Sequence, residues 1–212
     1  TVIDVGARYG IHPSWKTYKG EFTYYLFEPD KKEAQRLKLK YKDRTDEIII
    51  EDMALGEVPG ELTLNISRNR AMSSSSNRLP ISSLFLGERS KEIEIIETII
   101  APMTTVDLYT NSNKVAVDFL KLDTEGTEFE ILKGAKIQLN QNILGVRSEV
   151  AFDYIFEGKA LFTEIHEFML DNGFFLLNLD YDGKGDYQNT CAVPGTRYGI
   201  LSACDAVWMR RV

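Results

Sequence analysis

The stretch VAVDFLKLDTEGTEFEILKGA, residues 115–135, carries an apolar run, a turn and an amphipathic run in direct succession. VAVDFLKLD has the character of a buried strand, and EFEILKGA spaces its apolar positions as a helix does. Asp123 ends the strand, Glu125 lies in the turn and Glu128 enters the first helical turn, so three carboxylates fall within six residues. Like charges this close repel unless water, a cation or a cationic ligand separates them. The plain reading is a solvated helix N-terminus, where carboxylates offset the helix dipole. In that reading Thr124 and Thr127 supply capping hydroxyls, and Glu128 lies near Glu125 by helical spacing.

The same rhythm continues on both sides of the stretch. TVIDV, FTYYLFEPD and EIIIEDMALG read as three earlier strands, with KKEAQRLKLKYK as the helix between the second and third. After it come the helix EFEILKGAKIQLN, the strand ILGVRSEVAF, the helix LFTEIHEFMLDNG and the strands FFLLNLD and DAVWMRRV. Strands alternating with helices specify an α/β fold, a doubly wound, Rossmann-like, mostly parallel sheet with right-handed crossovers. The rhythm breaks once. GELTLNIS, and in part KEIEIIETII, alternate in period two, and the polar, turn-rich NRAMSSSSNRLPISS lies between them. Residues 60–102 are therefore expected to form a small antiparallel hairpin and loop inserted after strand three, within one domain spanning 1–212. The loop reads as mobile and placed to close over a ligand. The chain starts directly in a strand, so a preceding N-terminal segment is expected.

The chain has 212 residues, 43% hydrophobic and 27% charged, enough for a sizeable core. Its net charge of -7 argues against a nucleic-acid footprint, which needs a basic face, and suits a neutral or cationic small substrate. The basic residues in SRNR and NR read as solvated loop charges, or as a grip for an acidic sugar or phosphate. Cys191 and Cys204 form no metal-ligand spacing and no disulfide framework. They read as reduced thiols, which fits the cytoplasm. No run approaches membrane-spanning length and no signal peptide is visible. Nothing in the pattern specifies an oligomeric state.

In doubly wound sheets, ligands sit beyond the C-terminal ends of the strands, so those positions carry the functional reading. Strand one ends in VIDVGARYG, where Asp4, Gly6, Ala7 and Gly10 form a glycine turn that lets a ligand approach the backbone. A dinucleotide fingerprint wants a glycine where Arg8 stands, so a nucleoside without a pyrophosphate fits better. Strand two ends in LFEPD, where Glu28 can accept both hydrogen bonds of a ribose diol. Strand three ends in EDMALG, where Asp52 can accept from an adenine amino group and Met53 can pack on the ring. With Asp123 at the end of strand four, beside a fixed positive charge, these parts describe a pocket for S-adenosylmethionine.

The sequence resembles the FkbM family of class I S-adenosylmethionine-dependent methyltransferases. The residues that carry the resemblance are VIDVGARYG, LFEPD, EDMALGEVPGELTL, TTVDLY, FTEIHEFMLDNGFFLLNL, DAVWMRR and above all VDFLKLDTEGTEFEILKGA. The resemblance implies cofactor contacts at Asp4, Gly6, Glu28 and Asp52 and a central role for Asp123 and Glu125. It also implies O-methylation, commonly of sugar or polyketide hydroxyls, with a glycan or small natural product as acceptor. ARYGIHPSWKTYKG is bulkier than the family's turn-to-helix segment, and His12, Trp15 and Tyr18 either shape a pocket there or pack.

An alcohol is a poor nucleophile, so a positioned base helps methyl transfer. The candidates are Asp123, Glu149 and His12, with Glu125 in support. His166, in an amphipathic run, reads as structural. A divalent metal held by Asp123, Glu125 and Glu128 is the alternative use of the acids, although no metal is required by the reading. LDTEG lacks the Asn/Asp-Pro-Pro-aromatic turn of base methyltransferases, and neither cysteine follows a proline. A nucleotide-cofactor oxidoreductase and a non-catalytic glycan- or partner-binding module on the same fold remain as the other classes.

Overall fold

The computed structural model of the protein describes residues 1–17, 22–44, 47–180 and 202–211; Tyr18 and Cys191 lie outside them. β1 (Val2–Val5), β2 (Tyr24–Phe27) and β3 (Ile48–Glu51) run parallel, with α1 (Lys31–Lys40) crossing between the last two. β7 (Phe119–Leu122) pairs with the other side of β1, and β8 (Gly145–Ala151) extends the parallel set. β9 (Phe174–Asp180) and β10 (Ala203–Arg210) complete a seven-stranded sheet in the order β3-β2-β1-β7-β8-β10-β9, with β10 antiparallel to both neighbours. The chain winds away from β1 in both directions, so the strand order reverses between β1 and β7, and a crevice opens there.

Burial follows the pleat. Ile3, Val5, Leu120, Leu122, Val146 and Val150 point to one face and build the larger core with Ile165, Met169 and Trp208. Val2, Leu26, Ala34, Leu37 and Trp15 build a second core on the other face. All four residues of β1 are buried, as expected of a parallel strand covered on both sides. His166 is structural. Its Nδ1 accepts from the Trp208 indole at 3.1 Å, and its ring stacks on Phe162. Cys204 is buried in the larger core.

The interruption after strand three forms its own sheet. β5 (Gly60–Ser67) and β6 (Ile95–Thr104) pair antiparallel, and the short β4 (Ala54–Leu55) adds to β6 in parallel. The segment between them is more built than a free loop. It contains a 3-10 turn (Arg70–Met72), an isolated bridge from Ser74 to Asn65, and α2 (Pro80–Leu86), where the proline occupies the first turn.

EFEILKGAKIQLN is two helices instead of one: α4 (Glu128–Lys133) and α5 (Lys136–Gln141). The break is at Gly134, over which the loop after β4 passes. A Cβ there would stand 2.1 Å from the Gly56 carbonyl oxygen. Asp107, in the first turn of α3 (Val106–Asn113), then accepts from the amides of Ile137 and Gln138 at 2.9 and 3.0 Å and starts α5. Helix propensity alone favours alanine over glycine by about 1 kcal/mol. The close approach predicts the opposite sign: Gly134→Ala should lower stability by roughly 1–3 kcal/mol in urea unfolding. A gain in stability would contradict this packing.

Candidate active site

The crevice between β1 and β7 holds a cleft of about 580 Å³ lined by Gly6, Glu28, Ala54, Leu55, Asp123 and Glu125, with Leu64, Ala71 and Ser73 of the insertion as its roof. Gly6 and Asp123 also line a wider groove on their far side, with Tyr9, His12, Trp15 and Lys121. A third cavity, of about 500 Å³, lies behind the Asp123–Glu128 turn and is lined by Glu128, Glu149, Tyr154, Phe156 and Lys159. Asp123 therefore stands where cleft and groove meet.

Lys121, which belongs to none of the strand-end motifs, holds this junction together. It is buried in β7, with its ammonium 3.2 Å from Asp4 and 3.2 Å from Asp123. Burial pulls the Lys121 ammonium down, but Asp123 and Asp4 outweigh it and leave it raised. Burial raises the Asp4 carboxyl, against the pull of Lys121. A signal was available: Lys121 interrupts an apolar run two residues before Asp123, and period-two alternation puts both on one face of the strand.

The three clustered acids have three different partners. Asp123 faces Lys121. Glu125 pairs with Arg78 of the insertion at 2.5 Å. Glu128 turns back and accepts from the Thr124 amide at 2.7 Å, the Thr124 hydroxyl at 2.8 Å and the Gly126 amide at 3.0 Å. The carboxylate of Glu128 thus holds the turn that the threonine hydroxyls were expected to cap, while the Thr127 hydroxyl donates to that of Thr124 at 2.8 Å. Among the described residues, no group of three His, Cys, Asp or Glu side chains is placed to hold a metal ion.

At the end of β2, Glu28 is 3% exposed and lines the cleft. Its Oε1 accepts from the Asp30 amide at 2.9 Å and lies 3.7 Å from the Arg8 guanidinium. Asp30 caps α1 by accepting from the Lys32 amide and also receives Arg8 and Arg70 at 3.0 and 2.9 Å. Of the arginines read as solvated loop charges, Arg68 is exposed beside an exposed Glu94, whereas Arg70 pairs with Asp30 and Glu97 and Arg78 with Glu125.

Several expected site residues have other surroundings. Asp52 forms an ion pair with Lys38 of α1 at 3.4 Å, and Ala54 and Leu55 form the cleft wall in its place. Met53 packs against the larger core. The amides of Gly6 and Ala7 both donate to the Phe27 carbonyl, at 3.1 and 3.2 Å, and Ala7 is buried in the second core. Gly6 has φ +77°, and a Cβ there would stand 1.8 Å from the Asp123 carbonyl oxygen, so glycine serves the meeting of β1 and β7. Gly10 lies against the Tyr41 hydroxyl in the groove. Nδ1 of His12 lies 2.7 Å from the Ser14 hydroxyl and 3.3 Å from the Ser14 amide, which donates to it. Burial, then Lys121 and Arg147, push His12 down toward its neutral form. Glu149 faces the third cavity, and its carboxyl is raised well above the ordinary range by burial and then by Glu125, Asp123, Glu128 and Asp205.

Burial pushes the Glu28 carboxyl from 4.5 up to about 7, against the pull of Arg8 and the Asp30 amide. The folded chain therefore holds this proton more tightly than the unfolded chain does. The resulting stability is full below about pH 4.5 and is lost as pH rises through about 7, a change of roughly 3 kcal/mol. The thermal midpoint should fall between pH 5 and pH 8, and the fall should shrink in Glu28→Gln. An equal fall in both proteins would contradict the assignment.

The chain matches the methyltransferase FkbM domain model over residues 4–176. No curated protein matches it. Among solved structures, a methyltransferase FkbM from Methylobacillus flagellatus KT is similar, with TM-score 0.58 and 16% identity, covering 98% of this chain and 42% of that one. This chain thus spans less than half the length of that relative. A magnesium protoporphyrin IX methyltransferase from Synechocystis PCC 6803, solved with bound SAM, aligns with TM-score 0.43 and 9% identity over 99% of this chain and 69% of that one, too distant to carry an argument. The domain match over residues 4–176, on a strand order that opens a crevice between β1 and β7, makes this chain a member of the FkbM methyltransferase family.

Proposed function

We propose that the chain is an S-adenosylmethionine-dependent O-methyltransferase acting on a hydroxyl of a sugar, glycan or related small natural product. The observation that carries this reading is Glu28. It is a buried carboxyl at the end of β2, it lines the cleft at the strand-order reversal, and its Oε2 has no protein partner among the described residues. That suits a ribose diol, which needs a carboxylate with free lone pairs in a site closed to water. Ala54, Leu55 and Leu64 offer the apolar walls an adenine ring requires. Bound there, the cofactor would supply an electrophilic methyl group on a sulfonium.

The roles of the chain's own residues follow from their partners. Asp123 is reachable from both cleft and groove, and Lys121 fixes it from below. It orients the acceptor hydroxyl and takes its proton, a transfer that needs hydrogen-bond reach and alignment more than strong basicity. His12 lines the groove beside Asp123 and assists the acceptor there. Arg8 stands where a dinucleotide site needs a glycine, and its guanidinium is spent on Asp30 and Glu28, which disfavours a pyrophosphate ligand.

Calorimetry with S-adenosylhomocysteine tests the cofactor assignment. The unsubstituted chain should bind, and Glu28→Ala should lose about 2–4 kcal/mol of affinity. Turnover on a panel of glycans should then stop in Asp123→Asn with the fold retained. Equal affinity in Glu28→Ala, or full turnover in Asp123→Asn, would contradict the reading.

A further inference from the structure

Glu125 is the most constrained residue of the cleft. Its φ is +59°, in the left-handed region that non-glycine residues seldom enter. Such conformations persist only where the surroundings hold them. The next residue, Gly126, has φ +109°, and a Cβ there would stand 2.9 Å from the Phe156 ring. What holds this turn comes from the insertion, 47 and 51 residues earlier in the chain. The Ser74 hydroxyl donates to the Glu125 carbonyl at 2.5 Å. The Arg78 guanidinium donates to the Glu125 carboxylate at 2.5 Å, with both side chains about nine-tenths buried.

Arg78 is itself fixed from two more sides. Its guanidinium stacks over the Phe156 ring at 4.5 Å, and its Nη2 also donates to the Met72 carbonyl at 3.3 Å. The backbone on either side of it is tied to the segment after β8, through Glu157 to the Asn77 carbonyl at 2.9 Å and Leu79 to the Ile155 carbonyl at 2.8 Å. Arg78, Phe156 and Gly126 thus stack in sequence, and the insertion bridges the end of β7 to the end of β8. Without Arg78, Glu125 would share its surroundings with Asp123 and Glu128 of its own turn and with Glu149 of β8, all carboxyls.

We propose that Arg78 is a positioning residue: carried in by the insertion, it fixes Glu125 in the left-handed turn at the wall of the cleft, so that the insertion and the strand-end site keep their shape as one unit. The consequence for function rests on reading the cleft as the S-adenosylmethionine site. The insertion is then a required part of the site, and acceptor and cofactor meet a wall set by an ion pair between distant parts of the chain.

The test compares Arg78→Ala, Arg78→Lys, Glu125→Gln and the double variant Arg78→Ala/Glu125→Gln. Each is measured for S-adenosylhomocysteine affinity by calorimetry and for amide hydrogen exchange across residues 123–128. Arg78→Ala should weaken affinity about tenfold or more and speed exchange in the turn, Arg78→Lys, which keeps the charge but not the stack on Phe156, should fall between Arg78→Ala and the parent, and the double variant should be no worse than Arg78→Ala. Parent-like affinity and exchange in Arg78→Ala, or single effects that add in the double variant, would overturn the proposal. Should Arg78→Ala fail to fold, parent-like affinity and exchange in Glu125→Gln would overturn it. Should the parent show no affinity at all, the cofactor reading fails, and exchange across 123–128 alone decides the role of Arg78 by the same criteria.

Discussion

Lys121 puts one ammonium 3.2 Å from each of two carboxylates, Asp4 in β1 and Asp123 at the end of β7. Asp4 would not tolerate its position without it, while Asp123 keeps 46% of its side chain exposed. Asp4 is fully buried in a strand covered on both sides, and Asp123 sits beside Glu125 and within the field of Glu128 and Glu149. A buried charge that loses its partner costs about 3–5 kcal/mol, so this triad ties β1 to β7 at the point where the strand order reverses. Gly6 completes the junction, because its missing Cβ lets the Asp123 carbonyl approach the β1 turn. The cleft and the groove open on either side of that contact.

Around the junction the chain solves a crowding problem. Carboxylates outnumber cations at the strand ends, and each is either paired, hydrogen-bonded or held toward its neutral form. Arg8 and Arg70 serve Asp30, Arg78 serves Glu125, Lys159 serves Glu130, and Arg147 serves Asp180 and Asp205. Glu128 uses backbone amides. Glu28 and Glu149 are left with raised carboxyls.

The strands were legible because each is a short apolar run bounded by a turn, and the alternation with helices dictates mostly parallel pairing, whereas the antiparallel placement of β10 between β8 and β9 has no such local signal. Gly6, Glu28 and Asp123 were legible for a related reason: a position at a strand end is a local property, and the sheet converts it into a place in the crevice. Asp52 lies at a strand end as well but pairs with Lys38 of α1 at 3.4 Å, and Ala54 and Leu55 line the cleft beyond it. The split of EFEILKGAKIQLN depends on the Gly56 backbone passing over Gly134. The pairing of Arg78 with Glu125 joins residues 47 apart through a hairpin whose path no periodicity describes. The turn-rich serines looked like a free loop because their partners, the carbonyls of Glu125 and Gly126, belong to a different part of the chain.

The central claim is that Asp123, fixed by Lys121, faces the sulfonium of the methyl donor. S-adenosylmethionine carries that charge and S-adenosylhomocysteine does not, so the ratio of their affinities isolates the electrostatic contribution from the rest of the cleft. Calorimetric titration of both ligands into the parent and into Asp123→Asn should show the preference for the charged ligand falling about tenfold in the variant, with S-adenosylhomocysteine affinity nearly unchanged. An unchanged ratio would place the sulfonium away from Asp123 and contradict the account.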